Sequence, residues 1–143
     1  MIGFVFVCAL SMPASAQDLA SYQQCSEYDE SWTLGAEWST LVNQHFKEED
    51  RITAYKIIGC ESSGFANAKN QTSTATGLWQ FIDKTWGWVS KKLNMTGSPL
   101  DPLTSTRYAA FLKYKTSQGW GHWSESAHCW KEPNEKLGYT EIN

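Results

Sequence analysis

The sequence IIGCESSG occupies residues 57–64, and ATGLWQF follows it at residues 75–81. Apolar residues precede Glu61 by three, four and seven positions, so they share one face of a predicted helix with it. Gly64 is expected to end that helix, because glycine readily adopts the left-handed conformation found after helix ends. The pattern predicts a buried helix that delivers one carboxylate to a turn.

The composition is that of one folded domain. The chain has 143 residues, of which 41% are hydrophobic, and this is enough to bury a core. Its net charge is -3, and no basic run indicates a nucleic acid or an anionic membrane as partner. Eight tryptophans are a high number for this length. Tryptophan stacks well on sugar rings, but it is equally a core residue.

Residues 1–16 have the pattern of a signal peptide. Residues 2–10 are apolar, and Ala14, Ser15 and Ala16 form a site of the A-x-A type before Gln17. The apolar run is too short to span a membrane. The alternative is a buried N-terminal strand or helix. We expect cleavage and export to an oxidising compartment, with no integral membrane segment in the mature chain.

The remaining chain divides into a polar lead-in at residues 17–33, a helical domain at residues 34–130 and a polar tail at residues 131–143. Helical spacing predicts a helix over residues 34–46, a second helix that opens at residues 47–50 and continues to Glu61, and a short helix capped by Ser124 at the end of the domain. Between them, Asp83 and the pair Asp101-Pro102 have the pattern of helix starts. Residues 65–76 are rich in Asn, Ser, Thr and Ala, and predict an irregular loop or a small hairpin. The expected fold class is mainly α, in one domain.

The predicted setting of Glu61 suits a general acid. An apolar surrounding raises the pKa of a carboxyl group, and cleavage of a glycosidic bond needs a proton donor near neutral pH. Position alone fits a surface or structural glutamate equally well. Gly77 would let the backbone approach a ligand, and Gln80 offers both a donor and an acceptor to a sugar. Three tryptophans could stack on sugar rings, although core packing fits them as well: Trp79, Trp120 and Trp123.

A family resemblance supports this interpretation. ESSG at residues 61–64, followed by ATGLWQFI at residues 75–82, resembles the signature of soluble lytic transglycosylases and related lysozyme-like enzymes. Cys60-Glu61-Ser62 and the segment from Gly119 to Cys129 are similar to resuscitation-promoting-factor domains and to phage domains that degrade cell walls. The likeness covers roughly residues 50–130 and several ordered elements.

The resemblance implies a lysozyme-like fold with a cleft, which cleaves the β-1,4 bond between N-acetylmuramic acid and N-acetylglucosamine in bacterial peptidoglycan. It assigns the acid and base role to Glu61 and sugar contacts to Gln80 and, less directly, to Ser63 and Gly77. It also implies a disulfide between Cys60 and Cys129. The residues alone leave open a pairing of Cys25 with either of them.

Other partners are not expected. The sequence contains no C-x-x-C motif and no pair of histidines at helical spacing, so we expect neither a metal nor a cofactor. We expect a monomer that is periplasmic, extracellular or carried by a virion. Cell-wall remodelling, secretion-system assembly and phage entry would all use such a domain.

The reaction type depends on a second carboxylate. A hydrolase needs one at about 5 Å or at about 6.5–9.5 Å from the acid, whereas a lytic transglycosylase needs none. Asp83 and Asp101 are explained as helix caps, and Glu37, Glu48 and Asp50 lie on predicted polar faces. The chain also lacks the A-Y-N tripeptide of the transglycosylases, which brings it nearer to the resuscitation-factor and phage branch. We favour a transglycosylase that uses Glu61 alone. A hydrolytic muramidase and a non-catalytic wall-binding module are the alternatives.

Overall fold

The structure is a computed structural model that describes residues 31–132, with backbone only for residues 31 and 32. The predicted signal peptide, Cys25 and the tail from residue 133 lie outside the described residues. Six α-helices (α) and two 3-10 segments make up the described part: α1 Ser31–Ala36, α2 Ser39–His45, a 3-10 turn Glu48–Asp50, α3 Arg51–Ser62, α4 Asp83–Leu93, α5 Pro102–Lys115, a 3-10 segment Gly119–Ser126, and α6 Ala127–Trp130.

The mainly α fold class is confirmed. Extended pairing within residues 31–132 is limited to two isolated bridges, Lys69 with Thr76 and Thr76 with Phe81. The loop between α3 and α4 is therefore irregular, as its composition predicts. None of the described helices is long and apolar enough to cross a membrane.

Helix α3 lies at the centre of the domain. Its residues from Ala54 to Gly59 are all buried. Gly35 of α1 packs against this helix so closely that a Cβ there would lie 1.9 Å from the Tyr55 carbonyl oxygen. Because α1 begins at Ser31, it includes the last three residues of the predicted lead-in.

The end of α3 is built from two left-handed residues. Ser63 is the cap, with a φ of 52°, and Gly64 follows with a φ of 78°. The sequence predicts the stop at Gly64, but the left-handed turn begins one residue earlier. The Trp38 indole N–H donates to the Gly64 carbonyl oxygen at 2.8 Å and ties this turn to the start of the domain.

Two predicted helix starts have different outcomes. Asp101 caps α5 as expected, because its Oδ2 accepts from the Thr104 backbone N–H at 3.1 Å. Asp83 makes no side-chain cap and is itself the first residue of α4. The loop supplies the cap instead, since Thr74 Oγ1 accepts from the Asp83 backbone N–H at 3.0 Å.

A single helix over residues 34–46 is also not formed, because α1 ends at Ala36 and α2 begins at Ser39.

An aromatic cluster joins the ATGLWQF loop to the C-terminal 3-10 segment. Phe46 stacks between Trp79 and Trp120, with ring centroids 5.4 Å and 5.6 Å away. Trp123 lies 5.4 Å from Trp79, and its indole N–H donates to the Trp79 carbonyl oxygen at 3.1 Å. The cluster therefore fixes residues 119–126 against the loop that carries Gln80.

Candidate active site

Glu61 lies in the last turn of α3 and lines a cavity of about 680 Å³. The other walls come from the loop and helix start at residues 70–85, from Leu112 of α5, and from residues 122–129. The volume falls within the range of roughly 300–1,000 Å³ that is usual for ligand sites. The predicted acid is therefore placed in a cavity large enough for a small ligand.

The surroundings of Glu61 favour its protonated form. The residue is partly buried, and this burial is the main cause of a raised pKa, because desolvation disfavours the carboxylate. The Ser126 hydroxyl donates to Glu61 Oε1 and lowers the pKa, whereas the charge of nearby Glu125 raises it. The net direction is upward, as a proton donor requires.

A disulfide joins Cys60 to Cys129, which is the pairing that the resemblance implies. The bond has an S–S distance of 2.00 Å and connects residues 69 positions apart. It holds α6 against the end of α3, immediately beside Glu61. Cys25 lies outside the described residues.

Gln80 lines the cavity, but only part of its amide is available to a ligand. Its Nε2 donates to the carbonyl oxygens of Ala68 at 3.2 Å and Gly77 at 2.9 Å. Both donors therefore hold the loop, and Oε1 is left as an acceptor. This corrects the expectation that Gln80 offers a donor as well.

The three tryptophans are core residues. Trp79 and Trp123 line the cavity, but they are only 1% and 6% exposed, and so form its floor. Trp120 is not among the lining residues, and its ring stacks on Phe46. Their burial favours a role in core packing over a role as a wall that stacks on sugar rings.

Ser63 and Gly77 also lie outside the cavity lining. Ser63 is the exposed cap of α3. Gly77 has a φ of 84°, and a Cβ there would lie 2.0 Å from the Pro99 carbonyl oxygen. The crossing of two chain segments is thus enough to require a glycine at this position.

The C-terminal 3-10 segment supplies residues that sequence reasoning did not select, Glu125 and Ser126. The backbone departs from helical geometry at Trp123, with a φ of -110° and a ψ of 26°. A helix that starts from a Ser124 cap is therefore not formed, and the turn continues to Ser126. In the sequence, this segment is marked by Trp120, Trp123 and its likeness to the resuscitation-factor domains, and none of these signals selects Glu125 or Ser126.

His122 lies in the cavity wall. Thr116 Oγ1 lies 2.6 Å from the Leu112 carbonyl oxygen and 2.8 Å from His122 Nε2. Because the carbonyl oxygen can only accept, it takes the single threonine proton, and Nε2 must be the donor to Thr116. Burial lowers the pKa of His122, and its Nδ1 is left as an acceptor.

A metal site is not apparent in the described part of the chain. No three of its His, Cys, Asp and Glu side chains are grouped as metal ligands would be.

Comparison with known proteins identifies the family. The model of the transglycosylase SLT domain matches residues 43–129, which include the whole segment from Glu61 to Cys129. The chain belongs to this family. Relatives named "Probable transglycosylase SceD" occur in Staphylococcus aureus strains bovine RF122 / ET3-1, MRSA252 and Newman. Each is 35% identical over 85 residues, which are 59% of this chain and 33% of the relative. The match thus spans about a third of the length of these relatives. No solved structure gives a significant match.

Proposed function

We propose that this chain is an exported enzyme that cleaves the β-1,4 bond between N-acetylmuramic acid and N-acetylglucosamine by a lytic transglycosylase reaction. The observation that carries the proposal is Glu61, a partly buried carboxyl group with a raised pKa at the wall of a 680 Å³ cavity. Membership of the transglycosylase SLT domain family supports the reaction class.

In the first step, Glu61 protonates the oxygen of the leaving sugar. The bond to the anomeric carbon breaks as that proton is delivered, and the acetamido group of the substrate stabilises the developing cation. Burial suits Glu61 to this step, because it keeps the proton on the carboxyl group at a pH where an exposed glutamate has lost it.

In the second step, the Glu61 carboxylate takes the proton from the C6 hydroxyl of the same muramic acid. The C6 oxygen then attacks the anomeric carbon and closes an anhydro ring. The proton that Glu61 lost in the first step returns in the second, so one carboxyl group suffices and the cycle balances.

Two acceptors are available to orient the sugars. Gln80 and His122 line the cavity, and their amide and ring N–H donors are engaged elsewhere, which leaves Gln80 Oε1 and His122 Nδ1 as acceptors. They suit ligand N–H and O–H groups, such as those of an acetamido group and of sugar hydroxyls. The floor formed by Trp79 and Trp123 provides an apolar surface beneath them.

Hydrolysis is the second candidate, and Glu125 is the observation that favours it. Sequence reasoning names no second carboxylate, but Glu125 lines the same cavity as Glu61 and lies near enough for its charge to act on the pKa of Glu61. It is exposed, as a base that activates a water molecule would be. In this alternative, water replaces the C6 hydroxyl as the nucleophile.

Substitution of Glu61 separates the enzyme from a non-catalytic wall-binding module. Glu61→Gln keeps the shape of the side chain but removes the exchangeable acid proton. We expect the variant to bind purified peptidoglycan and to lose clearing of it. Glu37→Gln, at an exposed site, is the matched control and should clear like the wild type. Equal clearing by Glu61→Gln would refute the acid role.

Export and quaternary state belong to the same proposal. N-terminal sequencing of the protein recovered from the exported fraction of an expressing bacterium should begin at Gln17. Light scattering of that material should give the mass of a monomer. Retention in the cytoplasm with residues 1–16 attached would contradict the export.

A further inference from the structure

The Glu61 carboxylate has one side-chain partner among the described residues, the hydroxyl of Ser126. Ser126 is the last residue of the 3-10 segment and precedes α6 directly. The two residues are 65 positions apart in sequence. Their contact is therefore made by the fold and not by local geometry.

The single proton of the Ser126 hydroxyl has two acceptors within reach, Glu61 Oε1 and the Trp123 carbonyl oxygen at 3.2 Å. Trp130 biases this choice. Its indole N–H can only donate, and it lies 3.1 Å from Ser126 Oγ and 3.2 Å from the Trp123 carbonyl oxygen. Trp130 is 4% exposed, so its N–H depends on these two acceptors. The indole therefore already donates to the Trp123 carbonyl oxygen, and Glu61 Oε1 is the nearer of the two acceptors, so the serine proton goes to Glu61.

The position of this hydroxyl is fixed from two sides. Trp130 holds it through the hydrogen bond just described. The disulfide from Cys129 to Cys60 ties α6 to the residue next to Glu61. The distance between donor and carboxylate is thus set by covalent and buried contacts.

We infer that Ser126, held by Trp130, is a positioning residue that fixes the Glu61 carboxyl group so that Oε2 carries and delivers the proton. This inference rests on the proposed function. While Glu61 is protonated, Oε1 accepts from Ser126, which leaves Oε2 to bear the proton. After the proton is delivered, the same hydrogen bond becomes charge-assisted and stabilises the anion until it recovers a proton.

The test combines a titration with kinetics on purified peptidoglycan. The pKa of Glu61 is measured directly, by ¹³C NMR of the carboxyl carbon, in the wild type and in Ser126→Ala. Loss of the donor should raise this pKa further, because the hydroxyl stabilises the charged form. We expect kcat to fall by about ten- to a hundredfold at the wild-type optimum, which is the contribution of one hydrogen bond to a charged group. The alkaline limb of the pH profile should move to higher pH.

Three further variants separate positioning from structure. Ser126→Thr keeps the hydroxyl and should restore both the titration and most of kcat. Trp130→Phe keeps the ring but removes the indole N–H, so the Ser126 proton is shared with the Trp123 carbonyl oxygen and the changes should be smaller but in the same direction. Thr40→Ala removes an exposed hydroxyl of α2, away from the cavity lining, and should leave the pKa of Glu61 unchanged.

The possible results lead to distinct conclusions. An unchanged Glu61 titration in folded Ser126→Ala overturns the inference, even if Glu61→Gln is inactive as proposed. A loss of kcat with no movement of the pH profile also overturns it, because that pattern indicates a structural role. If Glu61→Gln remains active, the proposed function fails, while the NMR titration still reports whether Ser126 acts on Glu61.

Discussion

Removal of the Cys60–Cys129 disulfide should cost this domain a large part of its stability. The bond closes a loop of 69 positions, and in the loop-entropy model a loop of that length contributes about 4 kcal/mol. Domains of this size have a total free energy of unfolding of roughly 5–15 kcal/mol. The double variant Cys60→Ser/Cys129→Ser should therefore unfold at much lower denaturant concentration than the wild type.

Urea unfolding followed by tryptophan fluorescence measures this loss. With a urea dependence of about 2 kcal/mol per molar, the midpoint should fall by roughly 2 M. Each single variant should lose about as much as the double variant, because either substitution breaks the same bond. A loss below about 1 kcal/mol would refute the reasoning from loop length, and would mean that α6 is held mainly by its side-chain contacts.

Three other predictions follow from the described contacts. Because the folded state raises the pKa of Glu61, ionisation of this group destabilises the fold as pH rises through that pKa. Glu61→Gln should therefore have a higher Tm than the wild type at pH 8 but not at acid pH. A difference in Tm that is the same at both pH values would contradict this. Gly77→Ala should lower the free energy of unfolding by at least about 2 kcal/mol, since the added Cβ has a strained φ and meets the Pro99 carbonyl oxygen; an unchanged urea midpoint would show that the turn can move. Trp120→Phe should lower the free energy of unfolding by roughly 1–3 kcal/mol, because it weakens the stacking on Phe46, and it should leave KM for peptidoglycan unchanged. A raised KM would indicate that Trp120 contacts the sugar.

Elements with local signals could be predicted from the sequence. The start of α5 is encoded by Asp101 and Pro102, which act on their immediate neighbours. The end of α3 follows from a glycine that tolerates the left-handed conformation. The predicted Asp83 cap of α4 is wrong, because the Asp83 backbone N–H is capped by Thr74 instead. Thr74 lies nine residues earlier, in a loop whose path no local sequence pattern describes.

The candidate site was predicted in part, and for a similar reason. Glu61 and Gln80 belong to motifs that the sequence shows directly. Ser126 and Glu125 do not, since their approach to Glu61 depends on the disulfide and on the non-helical backbone at Trp123.

The tryptophans show the other limit of sequence reasoning. An aromatic side chain suits a sugar platform and a core equally, and only its surroundings decide between them. Trp79 and Trp123 are buried in the aromatic cluster, and they also line the cavity as its floor. Trp120 lies in the aromatic cluster and does not line the cavity.

The central claim is that Glu61 works as a single acid and base on peptidoglycan. Mass spectrometry of the soluble products of purified cell wall tests it most directly, with Glu61→Gln and Glu125→Gln measured beside the wild type. Anhydromuramyl ends are expected from the wild type and from Glu125→Gln, and no products from Glu61→Gln. Reducing ends from the wild type that disappear in Glu125→Gln would contradict it and identify a hydrolase with two carboxylates.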